Sequence, residues 1–293
     1  MKPFLIAEIS SNHNGSLKRA SDLIAMSAEL GFDAVKFQLF DIEKLFSSEI
    51  LDKSKTHRDR KKWQLPLSYI PELSKQAKDL GMQFGCTPFY LEAVDELFPF
   101  VDFYKVASYE ILWHDLINKC CETGKKFMFS SGMANSYEIE AVLSIISSSK
   151  VSEVTVMKCT SSYPTKLVDL NLAAIETLKK IGSKYSNINL SVGVSDHSRS
   201  IPAILRAIHK YEVSSIELHV DIDKNGVEFN AGHCWLPKEI KLLKNFIEDG
   251  IAADGQNKLD PVEKELLERN WRADPSDGLR PLKIERQKFK DEE

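Results

Sequence analysis

The feature that most constrains this chain is a switch in hydrophobic period, from strand-like to helix-like and back, repeated along residues 4–247. Short apolar runs predict strands at Phe4–Glu8, Ala34–Phe37, Gln83–Cys86, Val101–Lys105, Phe127–Phe129, Val154–Cys159, Ile188–Val192 and Ser215–His219. Helical spacing follows each run, at Lys18–Leu30, Pro66–Leu80, Leu91–Leu97, Ile111–Thr123, Ser136–Ser147, Leu170–Tyr185, Ile201–Tyr211 and Pro237–Ile247. Alternating strands and helices require a parallel sheet with right-handed crossovers. About eight units of roughly 30 residues predict a closed (β/α)8 TIM barrel with a short C-terminal extension. An open doubly wound sheet would carry a glycine-rich turn after its first strand. Here that turn is Ser10-Ser-Asn-His-Asn-Gly15, with one glycine.

The length of 293 residues suits this reading: a barrel over 1–250 and a charged extension over 251–293, with a helix at Glu263–Arg269 and a frayed end. No run reaches the 18 or so apolar residues of a membrane span, and MKPFLIAEIS reads directly as a strand. The five cysteines suggest neither a disulfide framework nor a zinc motif, so a cytoplasmic setting is expected. Cys86 and Cys159 read as buried apolar side chains. A net charge of −4 gives no reason to expect nucleic acid. The basic clusters Lys53–Lys62 and Lys283–Lys290 read as solvated, and residues 39–65 as a long loop with room for a small helix.

Active sites of (β/α)8 enzymes lie at the C-terminal ends of the strands. In this chain every predicted strand ends in polar or ionisable groups. They are Glu8; Lys36 and Gln38; Thr87 with Phe89; Lys105, Ser108 and Glu110; Ser130; Lys158, Ser161 and Tyr163; Ser195, Asp196 and His197; and His219. Lysines beside hydroxyls suit phosphate or carboxylate oxygens. Two imidazoles from neighbouring strand ends, with a carboxylate, suit a divalent metal that keeps open positions. Glu217 alternates with His219 and is the expected partner for its ring. The residues alone therefore predict a metal-assisted enzyme acting on an anionic small molecule.

The same segments resemble a known family. Ile-Ala-Glu-Ile-Ser-Ser-Asn-His-Asn-Gly (6–15), Ala-Val-Lys-Phe-Gln (34–38), Cys-Thr-Pro-Phe (86–89), Tyr-Lys-Val-Ala-Ser-Tyr-Glu (104–110), Ser-Ser-Gly-Met (130–133), Lys-Cys-Thr-Ser-Ser-Tyr-Pro (158–164), Gly-Val-Ser-Asp-His (193–197) and Ile-Glu-Leu-His (216–219) occur in the order found in the sialic acid synthases, the N-acetylneuraminate synthase group that includes pseudaminic and legionaminic acid synthases. The resemblance implies a metal-assisted condensation of phosphoenolpyruvate with an N-acetylated amino sugar, giving a nine-carbon 2-keto-3-deoxy acid and phosphate. It implies Mn or Mg on His197 and His219, with Glu8 beside the metal or the reacting centre. Lys36, Thr87, Lys105, Ser108, Ser130, Ser161 and Ser195 match the phosphoenolpyruvate-binding set. Gln38, Glu110 and Tyr163 match residues facing the sugar. Glu8, Lys36, Lys105, Glu110 and Tyr163 are the expected catalytic group; Phe89 and Asp196 are counted with the substrate-binding residues.

The chain departs from the family pattern after His219. Family members usually carry a Pro-Asp-His segment whose aspartate contacts the sugar; here Asp223–His233 stands in its place, with Glu228 as the substitute. Many members also carry an antifreeze-like domain that reaches across a homodimer and supplies an arginine to the sugar. The residues after 250 are too few for it, which leaves Arg272, Arg280 or nothing for that role. The alternatives are a 3-deoxy-octulosonate-phosphate-type synthase using a phosphorylated aldose, and a non-catalytic sugar-binding barrel.

Overall fold

The computed structural model describes residues 2–289. Its strands are β1 (Phe4–Glu8), β2 (Ala34–Leu39), β3 (Gln83–Pro88), β4 (Phe103–Val106), β5 (Lys126–Ser130), β6 (Glu153–Cys159), β7 (Asn189–Asp196) and β8 (Ser215–His219). All pair in parallel, in sequence order, and β8 closes on β1. The fold is the expected (β/α)8 barrel. Several strands run further than their apolar runs, because polar residues at the barrel mouth still form ladder hydrogen bonds: β2 continues through Gln38 and β7 through Asp196.

Side chains alternate between the two faces of each strand. Outward residues such as Leu5, Ala7, Val35, Phe37, Phe84 and Cys86 join one large core beneath the helices. Inward residues Ile6, Ala34, Phe103 and Met128 form a small separate plug. Gly85 makes room for it, since a Cβ there would lie 2.1 Å from the Phe103 ring. The next inward positions are Glu8, Lys36, Lys105 and Glu217. Register sets Glu8 level with Lys36 on one side and His219 on the other, and Ser195 level with Glu217. The apolar plug thus carries a layer of charge directly above it.

The helices differ from expectation at several starts and at one end, where the last helix, Pro237–Asp254, runs well past the expected Ile247. The predicted Pro66–Leu80, Ile111–Thr123 and Leu170–Tyr185 begin as 3-10 turns at Leu67–Tyr69, Ser108–Glu110 and Leu167–Asp169, and the α-helices run over Ile70–Asp79, His114–Glu122 and Ala174–Gly182. Residues 39–65 are more ordered than a loop. Asp41 accepts from the Glu43 amide to start Ile42–Leu45, and Ser48–Lys53, Lys55–Arg58 and a 3-10 turn at Asp59–Trp63 follow. Among the described residues, no helix is long and apolar enough to cross a membrane.

The chain divides into two compact units, Met1–Asp249 and Gly250–Glu293. The second is held by aspartates: Asp274 accepts from the amides of Ser276 and Lys283, and Asp277 receives the Arg286 guanidinium at 2.6 and 2.9 Å. These contacts order the helix Lys283–Lys288, where a frayed end was expected; residues 290–293 lie outside the described part.

Candidate active site

Three groups of residues meet at the C-terminal ends of the strands. The first is the buried charge layer. Lys36 is in direct contact with Glu8 and donates to Thr87 Oγ1 at 3.0 Å. Lys105 is in direct contact with Glu217 and donates to Ser195 Oγ at 3.4 Å. Ser195 in turn donates to Glu217 at 2.9 Å. Burial pushes Glu8 up to about 7, with Lys36 pulling against the shift. Burial also opposes the charge on Glu217, but Lys105 and Lys36 outweigh it and hold Glu217 down at about 2. Glu217 therefore serves the lysines. The sequence had suggested it as the partner of His219; the pleat turns it to the lysines instead, because β4 and β2 deliver their ammonium groups to that layer.

The second group surrounds Gly132, just past β5. A Cβ on Gly132 would lie 2.3 Å from Ser161 Oγ and 2.5 Å from Ser108 Oγ. The Gly132 amide donates to Ser108 Oγ at 3.1 Å. Ser130 Oγ and Ser161 Oγ are buried and have no partner among the described residues. Buried hydroxyls without partners are rare, since each costs about 1–3 kcal/mol. The Ser108 and Ser161 hydroxyls flank the missing side chain and form a cradle for oxyanion oxygens, with the buried Ser130 hydroxyl at the end of β5 just before it. Lys158, from the same strand end as Ser161, donates instead to Cys159 O and Thr160 Oγ1.

The third group is imidazole-rich. His219, Glu228 and His233 bring one donor atom each to within 4.8 Å of one another. Glu228 Oε2 is 3.0 Å from His219 Nδ1 and 3.7 Å from His233 Nε2. Burial takes His219 down to about 4, so at neutral pH its ring is uncharged and donates one N–H to Glu228. Burial also works against the charge on Glu228, but the two imidazoles and Ser10 hold its pKa well below the usual range. His197 lies beside this set, its ring 5.1 Å from His219 and 5.8 Å from His233. Its Nδ1 sits 2.9 Å from Thr160 O, an arrangement that fixes the tautomer and leaves Nε2 free. Two or three imidazole nitrogens with a carboxylate are a borderline-hard donor set that fits Mn or a similar divalent ion. The Tyr163 ring packs over His197 at 4.3 Å and His233 at 5.0 Å.

The Glu228 loop is positioned by the first turn of the barrel. Asn12 donates to Val220 O and accepts from the Glu228 amide at 2.9 Å. Arg19 holds Asp221 and Asp223. His13 accepts from the Gly15 amide at 2.9 Å and so shapes that turn.

A cavity of about 620 Å³ opens above these groups. Gln38, Phe89, Glu110, Tyr163 and His219 line it, as do Glu228 and His233. Burial raises Glu110 to about 7, and its Oε2 has no partner among the described residues. One expected substrate-binding residue stands apart. Asp196 accepts from the Ser198 and Arg199 amides and from Trp235 Nε1, and is 1% exposed. Its oxygens are spent on holding the turn after β7. Arg272 lines a cavity of the second unit, beside Asp260 and Glu265.

The sequence does not single out His233 or Trp63, and Arg60 reads there only as part of a solvated cluster. His233 follows a 3-10 turn and carries no strand-end signal. Arg60 sits in a basic cluster that looks solvated, yet it lines the 620 Å³ cavity with Trp63 and His57.

Comparison with known proteins places this geometry. The N,N'-diacetyllegionaminic acid synthase of Campylobacter jejuni is 34% identical over 291 residues, covering 91% of this chain and 84% of that protein. A pseudaminic acid synthase of the same species is 29% identical, covering 92% and 79%. The crystal structure of N-acetylneuraminic acid synthetase from Leptospira borgpetersenii, in complex with citrate, superposes with a TM-score of 0.76 at 30% identity, over 91% of this chain and 90% of that one. The match to the NeuB family spans residues 23–258. By that match and those relatives, the chain is an enzyme of the synthase type and belongs to the NeuB family.

Proposed function

We propose that this enzyme joins phosphoenolpyruvate to an N-acylated amino sugar, forming a nine-carbon 2-keto-3-deoxy acid and releasing inorganic phosphate. The observation that carries the reading is the serine cradle around Gly132, with the unpartnered Ser161 hydroxyl in it and the unpartnered Ser130 hydroxyl at the end of β5, at the same barrel end as the His219–Glu228–His233 set. An anion site beside an imidazole–carboxylate set is what a phosphorylated enol and a sugar aldehyde require. The relatives named as sialic-type acid synthases support the choice of substrates.

In the reaction, C3 of phosphoenolpyruvate bonds to the aldehyde carbon, water adds at C2, and phosphate leaves with its bridging oxygen. Ser108, Ser130 and Ser161 hydrogen-bond the phosphate oxygens. Lys36 and Lys105 supply the positive charge that phosphate and carboxylate need, with Thr87 and Ser195 holding the two ammonium groups in place. Glu8, raised to about 7, exchanges a proton near neutral pH and serves the water that adds at C2. Gln38, which donates to Glu8 Oε1 at 3.0 Å, orients that carboxyl. Glu110 and Tyr163 bind the sugar hydroxyls, and Phe89 packs against its ring. His219, Glu228 and His233, with His197 beside them, would hold the divalent ion, Mn or Mg. When bound, it supplies Lewis-acid polarisation of the aldehyde oxygen.

The test is phosphate release from phosphoenolpyruvate against a panel of N-acetylated amino sugars and phosphorylated aldoses, with and without Mn. Metal-dependent release with an N-acetylated amino sugar is expected. Release only with phosphorylated aldoses, or with none of the panel, overturns the reading.

A further inference from the structure

The segment between β2 and the helix Ile70–Asp79 forms one wall of the 620 Å³ cavity. Most of its charges are engaged at the surface: Lys55 pairs with Asp59 and Lys61 with Glu43, while Arg58 donates to Leu51 and Asp52 carbonyls. Arg60 differs. It lines the cavity, its guanidinium carbon 5.6 Å from the Phe46 ring and 5.7 Å from the Trp63 ring. It makes no hydrogen bond or ion pair with any described residue, and its Nε is buried without a partner. Trp63 Nε1 is buried and unpartnered as well. His57, which packs edge-on against Phe46 at 4.8 Å, backs the same corner.

Stacking on aromatic faces fixes the plane of a guanidinium and leaves its outer N–H groups free to donate. The chemistry of the wall narrows what they receive. Among the described residues Arg60 is the one Lys or Arg lining this cavity, against the carboxyls of Glu110 and Glu228; its own corner is formed by the Phe46 and Trp63 rings, while the rest of the wall mixes apolar groups with hydroxyls, Gln38 and imidazoles. A phosphate group is ordinarily met by several charged donors. A single guanidinium in an apolar corner suits a neutral amide carbonyl whose substituent is a small alkyl group.

We propose that Arg60, held by Phe46 and Trp63, recognises the acyl group on the acceptor's nitrogen. Its N–H groups donate to the acyl carbonyl and the aromatic rings enclose the acyl methyl. The segment 42–63 thereby selects acylated over unacylated acceptors. This rests on the proposed condensation and names which part of the chain sets its acceptor class.

Kinetics with Arg60→Ala and Arg60→Lys tests it, using N-acetylmannosamine, mannose and mannose 6-phosphate as acceptors with Mn present. Arg60→Ala is expected to raise KM for N-acetylmannosamine about tenfold or more, the loss of a hydrogen bond from a charged donor. KM for phosphoenolpyruvate and for mannose should stay unchanged, and Arg60→Lys should fall between. An unchanged KM for N-acetylmannosamine, an equal rise for mannose, or a larger rise for mannose 6-phosphate overturns the proposal. Tryptophan emission is the second readout and needs no turnover. Titrating N-acetylmannosamine into the wild type should give a saturable change that mannose does not, and both Arg60→Ala and Trp63→Phe should lose it. If no acceptor supports phosphate release, the condensation reading fails, while the emission titration still decides Arg60: no acyl-dependent change in the wild type, or one that survives in Arg60→Ala, overturns it.

Discussion

Oε2 of Glu228 stands 3.0 Å from Nδ1 of His219 and belongs to a loop, not to the strand that carries the histidine. One carboxylate thereby joins a strand-end imidazole to His233. Glu228→Gln should weaken Mn binding about tenfold to a hundredfold, the usual effect of losing a carboxylate that orients a ligating histidine. His233→Ala should weaken it at least as much. Electron paramagnetic resonance of free Mn during titration reads both; wild-type affinity in either variant removes that residue from the ion-holding set.

Gly132→Ala should damage phosphoenolpyruvate binding more than Ser130→Ala or Ser161→Ala. Each serine contributes one hydrogen bond, worth about 1 kcal/mol or roughly fivefold in KM. A Cβ at 132 fills the cradle itself, 2.3 Å from Ser161 Oγ and 2.5 Å from Ser108 Oγ. Steady-state KM values for phosphoenolpyruvate, at saturating acceptor, order the three. A Gly132→Ala enzyme with a normal KM would rule out the cradle as the anion site.

Glu110 makes stability depend on pH. Its carboxyl titrates near 4.5 when unfolded and about 7 when folded, because burial disfavours the charge. The folded state holds the extra proton between those values. The contribution is thus fully present below about 4.5 and is lost as pH rises through about 7. Glu110→Gln should remove this loss, which is at most about 3 kcal/mol. Melting temperatures of the wild type and Glu110→Gln, compared at pH 5 and pH 8, should show the variant declining less. Parallel curves for the two proteins contradict the raised value.

Asp196→Ala should cost stability and spare substrate binding. The substitution strands Trp235 Nε1 and two turn amides that now donate to the carboxylate. Leaving buried donors unpaired costs about 1–3 kcal/mol each, so a clear fall in melting temperature is expected. Phosphoenolpyruvate KM should stay within about twofold, since a twofold change is only a few tenths of a kcal/mol. A large KM change with an unchanged melting temperature would return Asp196 to the substrate site.

Much of the site was legible because barrel geometry converts a sequence pattern into a place. Once the alternating periods imply a (β/α)8 barrel, the residue at each strand end is delivered to one rim, whatever its neighbours. Glu8, Lys36, Lys105 and His219 are all found there. Asp196 shows the limit of that rule: a strand-end carboxylate can equally hold the turn that follows it. Glu217 shows another, since strand alternation gives the face of a side chain but not which neighbour it meets.

The sequence by itself determined the closed barrel, the order of its strands and the rim at which its polar residues gather. These follow from local periodicity, which each segment carries on its own. Only the tertiary structure decided which groups touch. The Glu228–His219–His233 set and the hydroxyls around Gly132 join residues from different loops and strands. Their contacts depend on register, on loop paths pinned by Asn12 and Arg19, and on room left by absent side chains. None of those is a property of any one stretch of chain.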